Sequence, residues 1–130
     1  MQTSLFLIFN HNLTDRQRQD AHASLGVDRI VDLPGHLKTL WRQIPPDVAD
    51  ISGLLGPIAD WLRTNAQKED FVLVQGDFGA VYRMVDIALG FGLVPVYSTT
   101  RRQSGERHGK DGVVDLVHRF RHVRFRRYKG

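Results

Sequence analysis

From Leu5 to Phe9 every position is apolar, the pattern of a short strand buried on both faces, as in a parallel sheet. The run ends at Asn10-His11-Asn12. Thr14-Asp15-Arg16-Gln17 then offers a capping box, with the Thr14 hydroxyl accepting from the Gln17 amide and the Gln17 side chain accepting from the Thr14 amide. A helix over about 14–24 is therefore expected, stopped near Gly26. Ile30 to Leu33 reads as a second strand closed by Pro34-Gly35, and His36 to Gln43 as a short amphipathic piece. Beyond the break Ile44-Pro45-Pro46, apolar residues at Val48, Ile51, Leu54, Leu55, Ile58 and Leu62 mark a longer helix. Pro57 inside it is expected to kink it or to start a second segment. Phe71 to Gln75 is the third strand.

From Gly79 the period changes. Val81, Met84, Val85, Ala88 and Leu89 form the stripe of a helix lying on a sheet, ended by Gly90 and Gly92. Leu93 to Tyr97 is a fourth strand, and Pro95 predicts that it lies near an edge or carries a bulge, because proline cannot donate to a ladder. Residues 101–112, with three glycines and both charge signs, predict a loop. Val113 to Tyr128 alternates as a strand, but Val114, Leu116 and Phe120 share one parity while Val123 and Phe125 share the other. A bulge near Arg121-His122 reconciles them. Strands alternating with helices through short links specify an α/β fold: a mainly parallel sheet flanked by helices, with a C-terminal antiparallel β-ribbon. The 130 residues suit a single domain over 1–130.

Composition narrows the function classes. Hydrophobic residues at 42% and charged residues at 25% are ordinary for a globular protein. No apolar run approaches the ~20 residues of a spanning helix, and the first residues lack a basic leader and cleavage site, so no membrane association and a cytoplasmic location are expected. The absence of cysteine excludes disulfides and thiolate chemistry. Residues 1–99 carry 8 Lys/Arg against 11 Asp/Glu, whereas residues 100–130 carry 10 against 3. The basic end, interleaved with Phe120, Val123, Phe125 and Tyr128, predicts a phosphate-facing strand.

The strand ends carry the candidate chemistry. In Gly76-Asp77-Phe78-Gly79 the two glycines are suited to positive φ and to close approach of a ligand, and the first amides of the next helix favour an anion. Asp77 is expected to cap that helix, and Phe78 lacks a place on its apolar stripe. The same turn also reads as an ordinary strand-to-helix link. In a parallel sheet the loops at Asn10-His11-Asn12, at Gly76–Gly79 and at Ser98-Thr99-Thr100-Arg101-Arg102 share one edge, which gathers donors suited to phosphates and ribose hydroxyls. An imidazole titrates near neutrality, which makes His11 a candidate for proton transfer or simply a loop anchor. His118 and His122 on the basic ribbon are expected to face solvent or phosphate. No metal spacing is recognisable, and neither metal nor cofactor is expected.

Taken together, several segments resemble a family of small proteins encoded beside type III CRISPR systems and grouped with the ring nucleases that degrade cyclic oligoadenylate. They are Phe-Asn-His-Asn-Leu-Thr at 9–14, Ser-Leu-Gly-Val at 24–27, Ile-Val-Asp-Leu-Pro at 30–34 and Leu-Trp-Arg-Gln-Ile-Pro-Pro-Asp at 40–47. Val-Gln-Gly-Asp-Phe-Gly-Ala-Val-Tyr at 74–82, Val-Tyr-Ser-Thr-Thr-Arg-Arg at 96–102 and His-Val-Arg-Phe-Arg at 122–126 continue the resemblance. It implies a CARF-like, Rossmann-like domain acting as a homodimer on cyclic tetra-adenylate, without a metal. Cleavage by attack of a ribose 2′-hydroxyl leaves a 2′,3′-cyclic phosphate. On that reading Arg101 and Arg102 stabilise charge and His11 handles the proton. Asn10, Gly76, Asp77, Gly79, Ser98, Thr99 and Thr100 hold ribose and phosphate, and Phe78 or Tyr82 stacks on adenine. A non-cleaving sponge for the same messenger needs the identical cradle, and a general RNA-binding module built on the ribbon is the third class.

Overall fold

The strands β1 (Ser4–Ile8), β2 (Arg29–Asp32), β3 (Phe71–Val74), β4 (Val94–His108) and β5 (Val114–Arg127) form one sheet in the order β2-β1-β3-β4-β5. The computed structural model describes residues 2–108 and 114–130, with the side chains of 103–119 outside the description. The first four strands run parallel and β5 runs antiparallel to β4. The α/β class, the mainly parallel sheet and the terminal antiparallel ribbon are thus as the periodicity implied.

Every residue of β1 is buried because both faces of the sheet are covered there. On one face, Leu5, Leu7, Leu73, Val96 and Phe125 pack with Leu13, Ala21 and Val27 beneath α1 (Asp15–Asp20) and the π-helical turn Ala21–Leu25 that continues it. On the other, Phe6, Ile8, Val72 and Val74 meet Leu37 and Trp41 of α2 (Gly35–Arg42), Ile58 and Leu62 of α3 (Gly56–Asn65), and Ala80, Met84 and Ala88 of α4 (Phe78–Gly90). Each of the Val, Leu, Ile, Phe and Met side chains among these contributes about 1.5–3 kcal/mol by leaving water, which is what holds the helices to the sheet. Strand order reverses at β1: the chain first steps to β2, then crosses back over β1 to β3 and continues outward to β4. Ligands in open sheets gather at the carboxyl ends bordering such a reversal, here the ends of β1 and β3.

The capping box forms as expected, with Thr14 accepting from the Gln17 amide at 3.2 Å and Gln17 accepting from the Thr14 amide at 2.9 Å. The α-helical part behind it is shorter than expected, because the chain widens to a π-helical turn before Gly26 stops it at φ 67°. Pro57 starts α3 after the 3-10 turn Ser52–Leu55, whereas Val48 lies outside any helix and is exposed. β4, the strand of Pro95, lies next to the edge strand β5, and its ladder with β5 carries a register shift between Thr99 and Thr100. The Pro95 carbonyl accepts from the Tyr128 amide just beyond the last residue of β5, so the missing N–H falls where the ladder is already ending.

The largest correction concerns residues 101–112. Instead of a loop, β4 continues to His108 and pairs with β5 throughout, while 109–113 lie outside the described residues. A strand can carry glycines and mixed charge when its partner supplies the ladder bonds. The expected bulge is present: Thr99 pairs with Arg124 and Thr100 with His122, leaving Val123 extra.

Candidate functional site

Ile8 is in register with Val74, and Leu73 with Val96, so the residues following β1 and β3 and the middle of β4 emerge side by side at one rim. Gln75 fastens the three together. Its amide donates to the Ile8 carbonyl at 3.1 Å, and its side-chain oxygen accepts from the Ser98 amide at 2.7 Å. The Trp41 indole N–H donates to the Gln75 carbonyl at 2.8 Å. That indole explains Gly76, because a Cβ there would stand 2.8 Å from Trp41 Nε1. Neither Gly76 nor Gly79 takes the positive φ expected of them. The glycine at 76 makes room for tryptophan.

The first loop brings Asn10 and His11 to this rim. The Asn10 carbonyl accepts from Arg42 Nη2 at 3.2 Å, while its side-chain Oδ1 is buried without a hydrogen-bond partner. His11 is exposed and stands edge-on to Phe9, with ring centroids 5.6 Å apart. Lys38 Nζ donates to Asn12 Oδ1 and Asp32 Oδ2, both at 2.9 Å, which leaves a guarded cation beside the same loop. At the third strand end, Asp77 caps α4 by accepting from the Ala80 amide at 3.0 Å. A carboxylate therefore already sits against the helix N-terminus, and the anion cradle expected there is partly filled by the protein's own charge. Phe78 and Tyr82, one helical turn apart, are 94% and 79% exposed. Tyr82 divides two shallow grooves, of about 450 and 500 Å³, along the outer side of α4.

On β4 the predicted residues part company. Thr100, Arg101 and Arg102 are exposed. Thr99 donates its hydroxyl proton to the Arg124 carbonyl at 3.0 Å. Ser98 turns away from the rim toward α1, at 8% exposure, and its hydroxyl lies 2.5 Å from His122 Nδ1 and 3.4 Å from Gln17 Nε2. His122 Nε2 lies 2.7 Å from Asp20 Oδ2, and Ser24 donates to Asp20 Oδ1 at 2.5 Å. His122, expected to face solvent or phosphate, is 6% exposed, and its carbonyl accepts from Arg16 Nε at 2.8 Å. The bulge at Val123 is what lets both His122 and Phe125 turn to the α1 side, where their rings meet at a tilt of 49° with centroids 4.6 Å apart. His118 lies among the residues whose side chains are outside the description.

A hydroxyl, an imidazole and a carboxylate in line are also the parts of an acyl-transfer relay. Buried under α1, they serve instead to pin the base of the ribbon to the helix that follows the first rim loop. Burial raises the Asp20 pKa, but its bonds to Ser24 and His122 and the nearby charges of His122 and Arg124 outweigh this and hold it below 3.8. On the opposite face Tyr128 donates to the Val74 carbonyl and rests on Tyr97, with ring centroids 4.8 Å apart. Its pKa is raised, first by burial and then by Tyr97.

Gln75, Trp41 and Arg42 shape the site without having been assigned a role from the sequence, and His122 shapes it in a role other than the expected one. Trp41 reads as one more apolar residue in a periodic stretch. The Arg16–His122 bond joins residues 106 apart, which no local pattern signals.

The chain matches the model described as the Uncharacterized protein MJ1673 family over residues 3–126. It is 48% identical over 124 residues to Uncharacterized protein MJ1673 of Methanocaldococcus jannaschii, an alignment covering 95% of each chain. No solved structure matches it.

Proposed function

The chain belongs to the MJ1673 family, and we propose that it is a CARF-like, Rossmann-like ring nuclease that binds cyclic tetra-adenylate as a homodimer and linearises it, switching off type III CRISPR signalling in the cytoplasm. The observation that carries this reading is the shared rim, where the ends of β1 and β3 and the middle of β4 meet beside the reversal of strand order. Asn10 Oδ1 adds a buried acceptor in need of a donor, a role a ribose hydroxyl fills. A four-fold ring of identical nucleotides can share a two-fold axis, so two copies would double every donor named above.

In the proposed reaction the ribose 2′-hydroxyl attacks the adjacent phosphorus in line. His11 takes its proton, the phosphorus–5′-oxygen bond breaks, and the departing oxygen takes a proton from solvent water, leaving a 2′,3′-cyclic phosphate and a 5′-hydroxyl. No metal or cofactor enters the scheme. Arg101, with Arg102, offsets the charge developing on the phosphate. Asn10, Thr100 and the backbone at 76–79 hold the ligand, and Phe78 or Tyr82 stacks on adenine. Ser98, Thr99 and Asp77, each bonded within the protein, act by shaping the rim.

A second reading, a sponge that sequesters the ring uncut, is favoured by the sparseness of the rim's proton-handling groups once Ser98 and His122 face α1. Incubation of the protein with labelled cyclic tetra-adenylate in EDTA decides between them. Linear product at substoichiometric protein supports cleavage; intact ring in a shifted complex supports the sponge; indifference to the ring with salt-sensitive binding of arbitrary RNA defeats both. For cleavage, Arg101→Ala is expected to weaken binding and turnover together, and His11→Ala to lower turnover ~10²-fold or more with affinity nearly unchanged. Unaltered single-turnover cleavage by the His11 variant removes His11 from the mechanism.

A further inference from the structure

In the β4–β5 ladder Arg101 stands directly opposite Arg121. Both are exposed, and among the described residues neither side chain has an ion-pair or hydrogen-bond partner. Opposite residues of an antiparallel pair hold their Cβ atoms ~4.5–5.5 Å apart, and like charges placed so destabilise the ladder. Among the described side chains of the two strands, from Tyr97 to Arg102 and from Phe120 to Arg127, there is no carboxylate to relieve this. Asp20, the acidic group packed against this part of the ribbon, is engaged by Ser24 and His122 on the α1 side. Among the described residues the pair has no counter-charge.

Two guanidinium groups at that spacing present a double fork of N–H donors suited to the oxygens of one phosphate. Arg101 lies three residues beyond Ser98, which is anchored to the rim through Gln75, so the pair overhangs that rim by roughly 10 Å of strand. We infer that Arg101 and Arg121 form a clip for one phosphodiester of an oligoadenylate seated on the rim, an inference that rests on the rim's being the nucleotide site. The repulsion between the two side chains in the free protein is relieved when the phosphate enters between them. Arg121, on a different strand from every other residue of the proposed site, ties the ribbon's return strand to recognition.

The clip predicts effects of opposite sign on folding and binding. Arg121→Gln should leave the thermal midpoint at low salt unchanged or higher, since a like-charge pair is lost. The same variant should bind cyclic tetra-adenylate ~10- to 100-fold more weakly, with a salt dependence shallower by about one phosphate contact. Thermal unfolding and fluorescence anisotropy, run with cyclic and linear tetra-adenylate, test both. Wild-type affinity retained by Arg121→Gln overturns the clip while leaving the rim reading intact. Binding of the linear strand alone, lost in the variant, keeps the clip and defeats the ring reading; wild-type protein that binds neither strand defeats both. A lowered midpoint with unchanged salt dependence would assign Arg121 to structure only and overturn the clip.

Discussion

Gly76 shows how a single residue can be rightly noticed for a different reason. Its place at a strand end suggested a ligand cradle, yet the nearest neighbour of its absent Cβ is Trp41 Nε1, at 2.8 Å. Trp41 is buried and bonded to the Gln75 carbonyl, so it cannot step aside cheaply. Gly76→Ala is therefore expected to destabilise the fold by about 1–3 kcal/mol in urea unfolding, the usual cost of overpacking. A change within error would mean that the indole relaxes. Asp20 supplies the pH-dependent residue. Burial raises its pKa, but the Ser24 and His122 bonds win and the folded value lies below 3.8. Its stabilising contribution is thus complete above about pH 3.8 and is lost as pH falls through the lower folded value. Asp20→Asn should flatten the acid limb of stability against pH, and a limb of unchanged slope would show that other carboxylates carry it.

Among the elements, α1 was legible because its signal is local: the capping box lies within four residues. Thr14→Ala should cost about 1 kcal/mol in the same urea assay, and because α1 covers His122 the loss should also loosen the base of the ribbon. Hydrogen exchange at the amides around Thr99 and Arg124 would register that coupling, and unaltered protection there would deny it. The ribbon was half legible. The break in parity located its bulge to within two residues, since a period of two admits no other repair. Its length was not legible, because glycine and mixed charge at 101–108 read as loop until β5 is set beside them. Which face His122 takes depends on Val123 being extra, a matter of cross-strand pairing.

At the scale of the whole molecule, the basic end of the sequence becomes an edge strand and its partner, running past the rim where the parallel strands stop. The proposed homodimer should sediment at twice 14.8 kDa in the presence of cyclic tetra-adenylate; a monomer saturated with ligand would count against a two-fold site. Among the described residues no helix is long and apolar enough to cross a membrane. What the sequence settled by itself was the order of the strands and helices, the existence of a mixed sheet and the meeting of strand ends, because periodicity and caps act over short stretches of chain. Tertiary structure alone decided which polar residues look outward. Ser98 and His122 are drawn under α1, and Arg121 is brought opposite Arg101, since each outcome depends on a partner many residues away whose distance no local pattern encodes.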